Sequence, residues 1–225
     1  MKNRVYNLIR LFVGLFMCAT ATVCMINSNV GLSPWDVFHQ GVAKNVGITI
    51  GQASIWVGVA FVFIGFLMGE KVGMGTILNM IFVGKFIDLI MFSEILPIAN
   101  ATIPGIAMLF SGMLLMGLGC VLYIGAGLGC GPRDTLMIAL TRKTGKPIKL
   151  VRGCIELAAL TIGFFLGGYV GFGTFISAIG LGYCLQFVFK LCKFDGTAVK
   201  HKSLIDDVNG VRNYFSGNVE AVEER

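Results

Sequence analysis

Two short turns, 98 residues apart, constrain this chain more than any other feature. Gly31-Leu32-Ser33-Pro34-Trp35-Asp36 returns as Gly129-Cys130-Gly131-Pro132-Arg133-Asp134, so that Pro34 and Asp36 align with Pro132 and Asp134 (132 less 34 is 98). The same offset aligns nearly the whole apolar part of the chain without a gap. Each copy reads as one long apolar segment, the turn with a short helix behind it, and two further apolar segments. Three crossings per copy is an odd number. Copies joined head to tail then enter a membrane in opposite senses, the inverted-repeat arrangement recurrent in secondary transporters.

A membrane is the required solvent. The 225 residues are 56% hydrophobic and only 13% charged, with a mean hydropathy of +0.81, where soluble domains carry about 25% charge. Several apolar runs reach the length of about 18 residues that a bilayer core demands. The net charge of +6 therefore reports orientation, and no nucleic-acid partner is expected. Many of the 31 glycines fall inside apolar segments, where small residues let helices approach closely. The seven cysteines are scattered, with no CxxC or Cys/His spacing. They read as small apolar fillers, and no metal or cofactor is expected.

The expected order is span 1 at 8–28, a short helix at 33–44, span 2 at 49–68 and span 3 at 75–93. A loop follows to residue 104, then span 4 at 105–127, a second short helix at 132–143, span 5 at 148–166 and span 6 at 174–192. Repeat 1 thus covers 1–98 and repeat 2 covers 99–195, leaving a short polar tail at 196–225. Basic residues near the N-terminus could belong to a signal peptide. The match of Phe12 and Gly14 to Phe110 and Gly112 makes the segment part of the repeat instead. Ser33 suits an N-cap, Pro34 the first helical position and Asp36 the third. Asp36, Gln40 and Lys44 recur every four residues opposite Trp35, Phe38 and Val42, the pattern of an amphipathic helix. Lys and Arg concentrate near the N-terminus, at 70–72, at 133–149 and after Lys190, whereas 93–104 and 168–173 have none. Six spans with both termini in the cytoplasm satisfy every loop.

GLSPWDVFHQG at 31–41 and the turns Val72-Gly73-Met74-Gly75-Thr76 and Val170-Gly171-Phe172-Gly173-Thr174 resemble those of the YczE/YitT-like bacterial integral membrane proteins. The resemblance covers about residues 8–192. It implies a bacterial inner-membrane location and supplies no activity or catalytic residues. Relatives of the YitT type often carry a soluble C-terminal domain, for which this chain ends too soon, so it resembles the YczE branch more.

Candidate substrate- or ion-binding residues are Asp36, His39, Arg133, Asp134, Lys85, Asp88 and Glu156, with Ser33, Pro34, Gly131 and Pro132 forming the helix-opening turns. Asp36 and Asp134 read in two ways. Either the short helices are re-entrant and their N-termini converge on a site, or they lie in the interface and each Asp caps its own helix. Lys85 and Asp88 share a face of span 3, where buried charge marks a pathway or a pair. Arg152 and Glu156 are spaced as an i, i+4 ion pair, although Glu156 alone could carry a proton. His39 beside Asp36 is either a proton carrier or a solvated interfacial side chain. No HExxH, GxSxG, P-loop or dinucleotide fingerprint occurs, so no enzymatic activity is expected. The leading expectation is a transporter of a small solute or ion, working by alternating access. The rival is a non-transporting accessory protein serving another membrane or biosynthetic protein. Expected partners are the lipid bilayer, a small solute or proton, and further copies of the chain.

Overall fold

A computed structural model describes residues 2–70 and 72–194. Lys71, the tail at 196–225 and its His201 lie outside the described residues. Eight helices follow in order: α1 (Lys2–Asn27), α2 (Pro34–Val46), α3 (Ile50–Leu67), α4 (Met74–Ser93), α5 (Thr102–Gly125), α6 (Pro132–Thr144), α7 (Ile148–Phe165) and α8 (Phe172–Leu191). Both ends of α2, α3 and α4 recur at offset 98 in α6, α7 and α8. Among the described residues five helices are long and apolar enough to cross a membrane: α1 from Val5, α3, α4, α5 and α8. The chain is thus a multi-pass membrane protein. The sixth long helix, α7, matches α3 in length but carries Lys149, Arg152 and Glu156.

Local chemistry sets the ends. Thr49 and Gln52 close a reciprocal capping box at the start of α3, satisfying two amides that the helix leaves unpaired. Gly47 and Gly145, in left-handed conformation, end α2 and α6. The Arg10 guanidinium donates to the carbonyls of Gly125 (3.1 Å) and Val121 (3.2 Å). It places a cation at the C-terminus of α5, where the helix dipole favours one.

Helices α1 and α5 pack antiparallel along a seam of small residues. A Cβ added at Gly14 would lie 2.6 Å from the Tyr123 nitrogen and 2.9 Å from the Gly119 oxygen. One added at Gly112 would lie 2.8 Å from Met25 Cγ and 3.0 Å from the Ala21 oxygen. The two contacts are the same contact at offset 98. Lipid tails give apolar helices no reason to associate, so this close backbone approach holds the pair by dispersion.

The helices divide into two groups of four. Helix α1 packs on α4 and α5, and α5 on α8; helix α2 packs on α3 and α7, and α6 on α3 and α7. The groups meet chiefly through α3 against α4. The chain crosses between them at the loops before α2, α4, α6 and α8, and those before α2 and α6 bond to the opposite copy. There the Gly173 amide donates to the Val30 carbonyl and the Gly75 amide to the Leu128 carbonyl, both at 2.7 Å. Gly31 (φ +135°) and Gly129 (φ +139°) turn the loops over Thr174 and Thr76, a backbone open to glycine alone among ordinary residues.

Filling the α1–α5 seam tests this account. Gly14→Val is expected to destabilise the protein by about 1–3 kcal/mol, read by thermal unfolding in detergent micelles. Gly153→Val, where an added Cβ meets nothing within 4 Å, is expected to stay within about 0.5 kcal/mol.

Candidate solute site

A cavity of about 300 Å³ lies where the N-termini of α2 and α6 meet, between the two groups of helices. Asp36 and His39 reach it from α2, Arg133 and Asp134 from α6, and Arg152 and Glu156 from α7. Its apolar wall includes Met25, Phe61, Met116 and Leu181. The paired turns thus come together in space.

Ser33 shapes the α2 side. Its hydroxyl accepts from the Asp36 amide at 3.3 Å and donates to the Asp36 carboxylate. Asp36 is therefore both part of a cap and a cavity residue, so its two readings are not exclusive. His39 is 2% exposed, not solvated, with Nδ1 4.0 Å from Asp36 Oδ1. The expected outer face of an amphipathic helix is also buried here: only the last turn of α2, from Lys44, is open. The N-terminal turns of α2 lie inside the protein, where Asp36 and His39 line the cavity, while Gln40 accepts from the Tyr169 amide and Lys44 donates to the Gly167 carbonyl.

The α6 side lacks the cap, because Gly131 stands where Ser33 stands in the first copy and offers no side-chain acceptor. Asp134 sits in the first turn, a carboxylate against the positive end of the helix. The Tyr123 hydroxyl lies 3.4 Å from its Oδ2. The Arg133 guanidinium stacks on Trp35, 4.6 Å from the ring centroid, within cation–π range. Trp35 and Arg133 occupy the same place in the two copies, which is the signal by which their meeting was open to inference. Arg152 Nε donates to Glu156 Oε1 at 3.0 Å, forming the expected ion pair. Both line the cavity, and Arg152, Trp35 and Tyr123 join the candidate set.

Lys85 and Asp88 do not join it. Lys85 is exposed, and no ion pair links the two among the described residues. Asp88 accepts from Thr49 Oγ1 (2.6 Å) and the Gly51 amide (2.9 Å), so it fastens α4 to the start of α3. Gly51 and Gly84 let those helices touch there, since a Cβ on either would strike the other's carbonyl. At the corresponding places in the second copy stand Lys149, Gly182, Gln186 and, for Thr49, Pro147. Helices α7 and α8 make no contact of similar extent, and an added Cβ at Gly182 would meet nothing within 4 Å. The cavity is closed along α3 and α4 and parted along α7 and α8. Among the described residues, no three His, Cys, Asp or Glu side chains assemble as metal ligands do.

Residues 5–190 match DUF6198, a family of unknown function. The chain is similar to the uncharacterized membrane protein YczE of Bacillus subtilis, 41% identical over 179 residues covering 78% of this chain and 82% of that protein. An uncharacterized protein of Haemophilus influenzae is 33% identical over 163 residues, 72% of this chain and 74% of the relative. The Bacillus subtilis protein YyaS is 25% identical over 180 residues, 79% and 89% of the two chains. No solved structure matches.

Two substitutions separate capping from charge at Asp36. Ser33→Ala removes both hydroxyl bonds and is expected to cost about 1 kcal/mol. Asp36→Asn keeps an acceptor for that hydroxyl and is expected to cost less, by thermal unfolding of the purified protein. A larger loss in Asp36→Asn would place the stabilising element in the charge rather than in the cap.

Proposed function

The chain belongs to the DUF6198 family, and we propose that it is a secondary transporter of a small solute or ion, acting by alternating access. The observation that carries this reading is the asymmetry of its two halves. Helices α3 and α4 are fastened by Asp88, whereas their counterparts α7 and α8 stand apart over a polar cavity. Two copies of one backbone unit, differing in the side chains along this edge, can exchange these arrangements. Closing α7 on α8 while opening α3 from α4 would present the same cavity to the other side of the membrane.

The six-span inverted topology underlies the proposal. It is supported by the antiparallel course of α1 and α5, and by α7, whose paired Arg152 and Glu156 line the cavity. The re-entrant reading of α2 and α6 is supported by their cavity-facing N-termini and exposed last turns. With both termini in the cytoplasm of a bacterial inner membrane, the parted edge faces inward, because Lys149 and Leu191 then lie on the cytoplasmic side. The chemistry is binding and conformational exchange, with no catalytic residue assigned.

Topology is tested by labelling single cysteines in a cysteine-free background. A membrane-impermeant maleimide outside the cell is expected to reach residue 100 and not residue 145. Labelling of both would end the six-span arrangement.

Exchange is tested by spin labels at Lys149 and Gln186, the counterparts of Gly51 and Asp88. Two distance populations are expected in membranes, the shorter corresponding to a closed α7–α8 edge. A single long distance across a range of pH and added solutes would leave a static bundle. The accessory role would then be the better reading.

A further inference from the structure

Resting on the reading of the cavity as a solute site, we infer that the cavity takes a small organic anion. Its acid group binds the Arg133 guanidinium over Trp35, and its body lies against Met25, Met116 and Leu181. The inference starts from an imbalance of partners. Arg133 forms no hydrogen bond and no ion pair within 4.0 Å among the described residues. Its five N–H donors have the face of the Trp35 ring beside them, with the carboxylates of Asp36 and Asp134 beyond ion-pair distance. The side chain keeps open surface, and it lines the cavity.

The place makes the imbalance costly. Arg133 is the second residue of α6, at the helix end whose dipole disfavours a cation. The other charged groups of the cavity have duties. Asp36 takes the Ser33 hydroxyl, Asp134 faces the Tyr123 hydroxyl and the α6 amide end, and Arg152 and Glu156 hold each other. Of the two cavity arginines, Arg152 spends its Nε on Glu156 and Arg133 spends no donor on a protein acceptor. A planar or tetrahedral oxyanion accepts two parallel N–H bonds from such a fork, and the backing indole keeps the guanidinium plane presented. The volume of about 300 Å³ lies at the lower end of small-molecule sites. The methionine and leucine wall suits an apolar body.

The chain supplies its own reporter. It has two tryptophans, and Trp56 is 65% exposed on α3. Trp56→Phe therefore leaves Trp35 as the single fluorophore. In phosphatidylcholine nanodiscs, iodide is expected to quench Trp35 at least about threefold more strongly than caesium, as a local positive site concentrates anions. Benzoate is expected to protect Trp35 from iodide, and benzamide, its neutral counterpart, to have no effect. Arg133→Gln should abolish both the iodide preference and the benzoate protection, and Arg133→Lys should restore the preference in part. Thermal unfolding of each variant separates these losses from misfolding. Equal quenching by the two ions, or stronger quenching by caesium, overturns the inference. So does benzoate without effect. If phosphatidylglycerol in the nanodisc alone shields Trp35, the occupant is a lipid headgroup and the soluble anion is wrong. Uptake into proteoliposomes is read separately, with radiolabelled benzoate and tetraethylammonium as probes. Anion-selective quenching without flux keeps the site and removes the transport reading; tetraethylammonium flux without anion selectivity does the reverse.

Discussion

Inside a bilayer every backbone amide and carbonyl has to find its partner within the protein, and this demand governs the two loops before α2 and α6. Both leave the helical pattern among packed helices, so their polar groups cannot turn to water. The opposite copy satisfies them. Val30 and Leu128 accept from the amides of Gly173 and Gly75, and the Thr76 hydroxyl donates to the Cys130 carbonyl at 2.6 Å. The glycines at 31 and 129 exist because any side chain there would collide with Thr174 or Thr76. The recurrent Gly-X-Ser/Gly-Pro turn and the recurrent Val-Gly-X-Gly-Thr turn are thus two halves of one contact, made twice.

That crossed contact fixes where the short helices begin. Once the loops are pinned, α2 and α6 must start inside the protein and run outward, with their N-termini facing one cavity. It also makes the two groups of helices separable. Within each group, packing is continuous; between them, the durable links are the loops and whichever edge is closed. Asp88 holds the α3–α4 edge by hydrogen bonds to Thr49 and Gly51. The second copy replaces Asp88 with Gln186, Thr49 with Pro147 and Gly51 with Lys149. Its edge therefore lacks the carboxylate, the hydroxyl and the close glycine contact together. The difference between the halves is chemical as well as positional.

Much of the fold was legible because its largest signals are local or periodic. Span lengths follow from apolar runs, and Pro34 and Pro132 mark helix starts by their missing amides. The offset then carries each assignment from one copy to the other. Side-chain destinations were less legible. The period-four spacing of Asp36, Gln40 and Lys44 suggests a helix lying on a surface. Sequence alone does not show that Asp36 turns to a polar cavity while Gln40 and Lys44 bond to the loop after α7. Asp88 stands on a helical face beside Lys85, but its partners come from α3, 37 and 39 residues away, and periodicity carries no information about them. The ion pair of Arg152 and Glu156 was legible because both ends lie on one helix. The stacking of Arg133 on Trp35 depends on which residues meet at the centre, and only the repeat offset pointed to it.

The centre is also where two copies of one unit have to differ. Backbone contacts away from it can be made twice, as Gly14 against α5 and Gly112 against α1 show. A single solute lying where α2 and α6 meet cannot be contacted identically by both, unless it is itself symmetric. At that point the copies present Trp35 against Arg133, His39 against Met137 and Ser33 against Gly131. Two tryptophans would leave a ring stack without charge, and two arginines would repel each other in a poorly screened interior. One of each gives a cation held in place by an aromatic face. The duplicated backbone is thus kept in both copies, while a few unequal side chains give the shared cavity a polarity.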